Sequence, residues 1–205
     1  MRHSHLPIVF VLCLTALPVC AQETKIPAAA TSTDNAAVVD DEAVFDTIKL
    51  GDSRDTVEKK LKASKLLEMT INELYLARVG LNGSFRTKQK IGGLQCLLSF
   101  TWDGQERLKE LSLDTEAQPV ANYDTSLKAT WTMLINLMST LHGKPLQGVD
   151  YPNSTTLQNG MTLNTHVWEL KPSGTALLGT SKLATGYMVS VRFTQEKIQP
   201  VRFGE

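Results

Sequence analysis

His142 and His166 are the histidines with the most scope for chemistry, because the other two lie within the first five residues of the chain. A metal centre needs His, Cys, Asp or Glu clustered at ligand spacing, and each of these histidines stands alone. We therefore predict structural roles. His166 belongs to a strand, and His142 ends a helix, where a partly protonated imidazole meets the negative pole of the helix. The sequence predicts no metal site and no cofactor site.

Serine and carboxylate side chains give no clear catalytic pattern. A serine nucleophile of the hydrolase type sits on a strained Gly-x-Ser-x-Gly turn, which this sequence lacks. No segment is rich enough in glycine to cradle a phosphate. Asp103, Glu106, Glu110 and Asp114 recur along one predicted hairpin, and the simplest interpretation is its solvated side. A glycosidase pair of carboxylates, drawn from distant positions, stays an alternative. We predict no catalytic residue.

Cys96 is the one cysteine outside the N-terminal region that also contains Cys13 and Cys20. An odd thiol in an oxidising compartment is a candidate reactive group. Cys96 shares the strand face of Leu94 and Leu98, however, and buried cysteine behaves as a small apolar side chain. We predict a buried, structural cysteine.

Hydrophobic periodicity indicates the elements that position these side chains in the first half. Asp52 is the predicted N-cap of a helix that buries Val57 and Leu61 and ends near Leu67. Residues 68–79 fit either a short helix or a strand, and residues 84–91 are expected to form a strand. Strict alternation then predicts a half-buried strand, with one face formed by Leu94, Cys96, Leu98, Phe100 and Trp102. A turn at Asp103 and Gly104 leads to a return strand over residues 107–114.

The second half repeats this order. Apolar side chains at three- and four-residue spacing predict a helix over residues 125–142, with Gly143 and Pro145 ending it. Its predicted inward side chains are Leu127, Trp131, Leu134, Ile135, Met138 and Leu141. Strands are expected over residues 162–170 and 177–183, and a last strand turns Tyr187, Val189, Val191 and Phe193 inward. Trp102, Trp131 and Trp168 all fall on inward faces, which favours core packing over a ligand-stacking platform.

The order helix, strands, helix, strands predicts an α+β fold. We expect two tandem units of a helix and an antiparallel sheet, over residues 44–118 and 119–203, packed as one globular domain. The duplication is inferred from element order, because residue identity between the halves is faint.

Residues 1–21 have the pattern of a secretory signal peptide. Arg2 precedes an apolar run over residues 6–19, which is too short for a comfortable transmembrane helix, and the composition changes after Ala21. Residues 22–43 are rich in Ala, Thr, Ser, Asp and Pro, which predicts a disordered tether.

Two routes of processing fit this leader. Signal peptidase would cut before Gln22. Alternatively, a lipid is attached at Cys20, because Leu17-Pro18-Val19-Cys20 resembles a bacterial lipobox, with Val19 where that pattern has Gly, Ala or Ser. Membrane contact is expected only through such a lipid.

One stretch of the chain resembles a known envelope group. Phe45-Asp46-Thr47-Ile48-Lys49-Leu50-Gly51-Asp52-Ser53, followed by Val57 and Leu61, is similar to the opening of small exported β-lactamase-inhibitor-like proteins and outer-membrane-assembly lipoproteins. His142-Gly143-Lys144-Pro145 resembles the helix ending of the same group. The resemblance implies a capped helix followed by a meander of antiparallel strands, in proteins that bind other proteins or scaffold the envelope. It implies no binding residues.

Balanced charge completes the functional expectations. The chain has 21 basic and 21 acidic residues, which gives no electrostatic case for nucleic acid or an anionic membrane. We expect an exported, non-catalytic protein, periplasmic or extracellular, that binds an unknown partner protein through an open sheet face and the loop at residues 151–159. The alternatives are an enzyme acting on an envelope polymer and a structural lipoprotein. The sequence does not indicate an oligomeric state.

Overall fold

The computed structural model describes residues 42–68 and 80–200. Within these residues there are two α-helices, α1 over Arg54–Ala63 and α2 over Lys128–His142. The seven strands are β1 Phe85–Arg86, β2 Cys96–Trp102, β3 Leu108–Thr115, β4 Gln147–Gly148, β5 Thr162–Glu169, β6 Thr175–Leu183 and β7 Gly186–Thr194. The predicted signal peptide with Cys20, most of the predicted tether and nearly all of the ambiguous segment 68–79 lie outside the described residues.

The seven strands form one antiparallel sheet in the order β1-β2-β3-β7-β6-β5-β4. Two meanders compose it. The strands β1 to β3 make the first and β4 to β7 the second, and they join where β3 pairs with β7. Helices and an antiparallel sheet in one chain confirm the predicted α+β class. The short edge strand β4 was not predicted, because two residues carry no readable alternation.

Both helices contribute to an apolar core on one face of the sheet, which we call the helix-side face. Alternate residues of β2, β3, β5, β6 and β7 point into this core, together with the inward sides of α1 and α2. Its largest fully buried side chains include Trp168, Tyr123, Phe85 and Ile48. Trp131 and Phe193 are 8 % and 3 % exposed, as the inward faces predicted. The predicted alternation of β2 and of β7 is therefore confirmed.

Helix α1 differs from its prediction at both ends. Ser53, not Asp52, is the N-cap, and its hydroxyl oxygen accepts from the backbone N–H of Thr56. The carboxylate of Asp52 is engaged elsewhere, because it accepts from the backbone N–H of Lys49 and from the ammonium of Lys60. The helix also ends at Ala63 rather than near Leu67, since the next residue is already extended. Aspartate and serine are both good capping residues, so the sequence alone does not distinguish Asp52 from Ser53 as the N-cap.

Regular α-helical structure in α2 begins at Lys128 rather than at residue 125, and the helix buries fewer of the side chains predicted to face inward. A 3-10 turn over Val120–Asn122 and a π-helical turn over Tyr123–Leu127 lead directly into it. Leu141 was predicted to face inward, and that was wrong: it is 54 % exposed, because it lies on the outer side of the helix with the exposed Met133 and Leu137. Gly143 ends the helix with φ +80°, as predicted from its position.

Candidate functional site

His166 lies in an aromatic sandwich rather than beside acids. Its ring stacks on Trp168 at 5.5 Å between centroids and meets the edge of Trp131 at 5.4 Å. Its Nδ1 lies 3.2 Å from the hydroxyl of Thr165, which also accepts from the indole N–H of Trp131. Burial lowers the pKa of His166, so the ring is neutral at neutral pH. This environment suits a core histidine and offers no carboxylate to orient a general base.

His142 is also packed rather than charged. It ends α2 as predicted and meets the ring of Phe193 at 6.2 Å between centroids. Burial lowers the pKa of His142, which works against the partly protonated imidazole expected at the end of a helix. Among the described residues its Nε2 is buried without a hydrogen-bond partner.

Cys96 and the tryptophans are structural, with one qualification for Trp102. Cys96 is 1 % exposed, and burial raises the pKa of its thiol to about 11, so it stays protonated and unreactive at neutral pH. Trp131 and Trp168 are buried in the core, as predicted. Trp102 is half-buried, and the guanidinium of Arg54 lies 4.6 Å from the centre of its ring. That contact joins the start of α1 to the β2–β3 hairpin.

The loop at residues 151–159 belongs to the helix side of the molecule. The hydroxyl of Tyr151 donates to the backbone oxygen of Tyr123 over 3.0 Å. The hydroxyl of Tyr123 in turn donates to the backbone oxygen of Pro152 over 2.9 Å. Tyr151 also packs against Trp131, and Leu157 is part of the core. The loop is thus anchored next to α2 and contributes to the helix-side layer, not to the opposite face of the sheet.

The face of the sheet opposite the helices, which we call the second face, has a different composition. Its members on β2, β3, β6 and β7 follow from the pairing register and are Leu97, Ser99, Thr101, Glu110, Ser112, Asp114, Thr175, Leu177, Gly179, Ser181, Met188, Ser190, Arg192 and Thr194. None of these side chains is aromatic. The backbone of Glu196 and of Ile198, just after β7, hydrogen-bonds the hydroxyl of Thr175 at one end of this face.

A polar strip crosses the centre of the second face, formed by Ser99, Ser112, Asp114, Ser190 and Arg192. Cross-strand pairing sets Ser112 between Ser99 and Arg192, and Asp114 beside Ser190. Apart from the exposed Arg192, these side chains are half-buried. The sequence could not show this strip, because it exists only through the pairing of β3 with β7, whose partners are nearly eighty residues apart.

The four predicted hairpin carboxylates separate into two groups. Asp103 and Glu106 shape the turn. The carboxylate of Asp103 accepts hydrogen bonds of 2.8 Å from the backbone N–H groups of Gln105 and Arg107, and these bonds, the one from Arg107 most, lower its pKa. Glu106 forms an ion pair with Arg54. The other two, Glu110 and Asp114, lie on the second face and are less solvated than predicted.

Burial raises the pKa of both Glu110 and Asp114. Arg192 lies 3.6 Å from Glu110, and Ser112 donates to Asp114 over 2.8 Å. A rise of about 3.4 Å per residue places them about 13 Å apart along β3. Glycosidase carboxylates are at most about 9.5 Å apart, so this pair does not have the geometry of that reaction.

A cavity of about 300 Å³ lies between the N-terminal turn of the described chain and the β5–β6 connection. Its carboxylate, Glu42, forms a 3.0 Å ion pair with Lys49, and Lys171 lines it as well. It therefore lacks the two carboxylates that would favour hydrolysis. In the described part of the chain no three His, Cys, Asp or Glu residues are grouped for a metal ion, and no helix there is long and apolar enough to cross a membrane.

Comparison of the chain with protein-family models, with curated proteins and with solved structures finds no match.

Proposed function

We propose that this chain is an exported, non-catalytic protein of the bacterial envelope or extracellular space that binds a partner protein through the second face of its sheet. The observation that carries the proposal is the polar strip, where hydroxyl groups, a carboxyl group and the exposed Arg192 occupy the centre of a sheet face that neither described helix covers. Arginine is enriched among the residues that dominate binding energy at interfaces.

The chemistry of the strip favours a polar, hydrogen-bonding partner surface. Ser99, Ser112 and Ser190 are short, so a partner can approach the sheet closely, and each hydroxyl both donates and accepts. Arg192 supplies an exposed long side chain, whose guanidinium lies 3.6 Å from Glu110 on the same face. Since none of the second-face positions named on β2, β3, β6 and β7 is aromatic, the partner would have to bring its own aromatic or aliphatic side chains.

The sheet topology supports a tandem duplication as part of this proposal. In each half a helix precedes an antiparallel meander, and the two meanders meet at the antiparallel β3–β7 pair. Two copies of one unit related by a two-fold axis through that junction would give this order, with β2 matching β6. The proposed boundary between residues 118 and 119 falls in the connection between β3 and the first turn of the second helix.

Export is the second component of the proposal and rests on the leader over residues 1–21. The resemblance to small envelope proteins that bind other proteins agrees with it. Mass spectrometry of the mature protein checks the processing. An unmodified N-terminus at Gln22 would exclude lipid attachment, whereas a lipid-bearing Cys20 would place the protein on a membrane.

Binding through the strip is tested by replacing Ser190 with arginine, which blocks the close approach of a partner. A pull-down from an extract of the cell envelope should retain a partner on the wild-type protein and lose it on Ser190→Arg. Thr125→Arg, an exposed change in the helical turn that leads into α2, is the matched control and should retain it. Circular dichroism confirms that both variants are folded. A partner held equally by Ser190→Arg and the wild type would contradict the proposal.

A further inference from the structure

One row of side chains crosses five strands of the second face, and its two ends differ in exposure. Cross-strand pairing sets Val167 beside Leu177, and Leu177 beside Arg192. The row continues through Ser112 to Ser99, both in the polar strip. The strip end is half-buried or exposed, whereas Val167 and Leu177 are only 5 % and 2 % exposed, although neither belongs to the apolar core. The row is therefore open at its polar end and closed at its apolar end.

The segment that follows β7, residues 195–200, lies at the closed end, and we call it the strap. Thr175 comes two residues before Leu177 on β6, so both side chains point to the second face. The hydroxyl of Thr175 donates to the carbonyl oxygen of Glu196 over 2.8 Å and accepts from the backbone N–H of Ile198 over 2.9 Å. These two bonds place the backbone of the strap on the second face, about 7 Å along the strand from Leu177.

The start of the strap is anchored to β3, and the rest is held through side chains. The backbone N–H of Gln195 donates to the carbonyl oxygen of Lys109 over 3.2 Å, and its side-chain amide donates to that of Leu108 over 2.9 Å. Glu196 pairs with Lys109 over 2.9 Å, and an exposed ion pair of this kind contributes little to stability. Ile198 is half-buried, whereas most of the other strap side chains are exposed. A segment held in this way opens locally more easily than the strands beneath it.

We propose that the strap closes the apolar end of the partner-binding row, and that the partner displaces the strap and seats an aliphatic side chain against Val167 and Leu177. The inference rests on the proposed function, because it names where on the second face the partner's apolar side chain binds. Gln195 is the hinge, since its bonds to β3 do not depend on Thr175.

The chemistry of the row favours a partner segment that is polar at one end and aliphatic at the other. Its polar end matches the hydroxyl groups of Ser99 and Ser112 and the guanidinium of Arg192. Its aliphatic end gains the burial of apolar surface that a polar strip does not supply. While the strap is closed, the apparent affinity is reduced by the fraction of molecules in which it is open, so release of the strap should strengthen binding.

Thiol labelling measures the strap directly, with no partner present. In the protein from Gln22 onward, Cys96 is the remaining cysteine, and its buried thiol stays protonated and unreactive. Leu177→Cys should therefore react with a maleimide slowly, through opening of the strap. Adding Thr175→Val keeps the shape of that side chain but removes its hydroxyl, so the strap loses two hydrogen bonds. Labelling should then accelerate by at least about tenfold.

Two further variants are matched controls for the labelling. Thr175→Ser keeps the hydroxyl and should restore slow labelling. Thr162→Val removes a hydroxyl that bonds to Ser181 over 2.7 Å at the other end of the β5–β6 pair, and it should leave labelling slow. Hydrogen exchange at the backbone N–H of Ile198, measured without the cysteine substitution, should be faster in Thr175→Val and unchanged in both controls.

The labelling and exchange have outcomes that would overturn the proposal. Rapid labelling of Leu177→Cys in an otherwise wild-type protein would show that the strap does not cover this position. Labelling or exchange that Thr175→Val leaves unchanged would show that its hydroxyl does not hold the strap closed.

Partner binding separates failure of this inference from failure of the proposed function. In the pull-down from an envelope extract, Thr175→Val should retain more partner than the wild type, and Thr162→Val the same amount. Equal retention by Thr175→Val and the wild type, together with accelerated labelling, would overturn displacement of the strap and leave the polar strip as the binding surface. A partner missing from every variant would overturn the proposed function and the displacement step with it, while the labelling would still decide whether the strap covers Leu177.

Discussion

Leu177 and Leu178 are neighbours on β6, yet their side chains point to opposite faces of the sheet and meet different surroundings. Leu178 is fully buried in the core between helices and sheet. Leu177 is only 2 % exposed but lies outside that core, beside Val167 and Arg192 on the second face. The comparison teaches that low exposure does not by itself place a side chain in the core between helices and sheet. Leu177 is as inaccessible as a core residue although it lies on the other face.

The largest difference between the faces should appear when each leucine is truncated. Leu178→Ala leaves a cavity among residues fixed by both layers, and we expect a loss of about 3–4 kcal/mol in the free energy of unfolding. Leu177→Ala should cost about 2 kcal/mol or less, because side chains on the second face can rearrange into the space. Urea unfolding with comparison of m-values measures both. Equal losses would show that the second face is itself a packed layer, which would remove the surface proposed for binding.

Local patterns predicted which side chains face the core, but not how the outward side chains of different strands lie together on the second face. The alternation of Tyr187 to Phe193 and the position of Gly143 follow from near neighbours in sequence, and the structure confirms both. The N-cap is Ser53 because the carboxylate of Asp52 is bonded to Lys49 and Lys60, and hydrophobic periodicity carries no information on that choice. The polar strip depends on the register of distant strands. Burial of carboxylates such as Asp114 followed from that register and was missed for the same reason.

The next effect concerns the contact between the first meander and α2. Gly92 and Gly93 both have positive φ, +60° and +91°, but a Cβ at Gly92 would overlap the backbone of Thr130. At Gly93 such an atom meets nothing within 4 Å. We expect Gly93→Ala to cost about 1 kcal/mol from backbone strain alone, and Gly92→Ala to cost about 2–3 kcal/mol because α2 must also shift.

Thermal unfolding of the two alanine variants measures this difference. Thr130 donates to the carbonyl oxygen of Ile91 over 3.0 Å, so a shift of α2 also weakens that bond. Equal midpoints for Gly92→Ala and Gly93→Ala would mean that the turn can move away from α2 at no cost, and that the two halves are joined mainly through the sheet.

A smaller effect is expected at the helix-side loop. Tyr151→Phe removes the hydrogen bond to the backbone of Tyr123 and should cost about 1 kcal/mol, or a decrease of roughly 2–4 °C in the unfolding midpoint. Tyr123→Phe removes the bond to Pro152 and should cost a similar amount. The double variant should cost less than the sum, since either change loosens the same loop. Strict additivity would show that the two bonds hold the loop independently.

The smallest effect is the dependence of stability on pH, which should have opposite signs for a carboxylate on the second face and one in the β2–β3 turn. Burial raises the pKa of Asp114 above its ordinary value of 3.8. The stability contributed by this group is therefore fully present below pH 3.8 and is lost as the pH rises through the folded-state pKa. Asp114→Asn removes that loss and keeps an acceptor for Ser112. It should be more stable than the wild type at pH 7 by less than about 1 kcal/mol, with no difference below pH 3.8.

Asp103 provides the opposite sign in the same hairpin. Its pKa is lowered by the backbone N–H bonds it accepts, first from Arg107, so its contribution is present above pH 3.8 and is lost as the pH falls through the folded-state pKa. Asp103→Asn should therefore be less stable than the wild type at pH 7, and the two should converge in acid. Urea unfolding at pH 7 and at pH 3 compares both variants. A loss of stability at pH 7 for Asp114→Asn would mean that the ionised carboxylate is favourable on the second face, and the strip would then be an electrostatic element of the fold rather than a surface left for a partner.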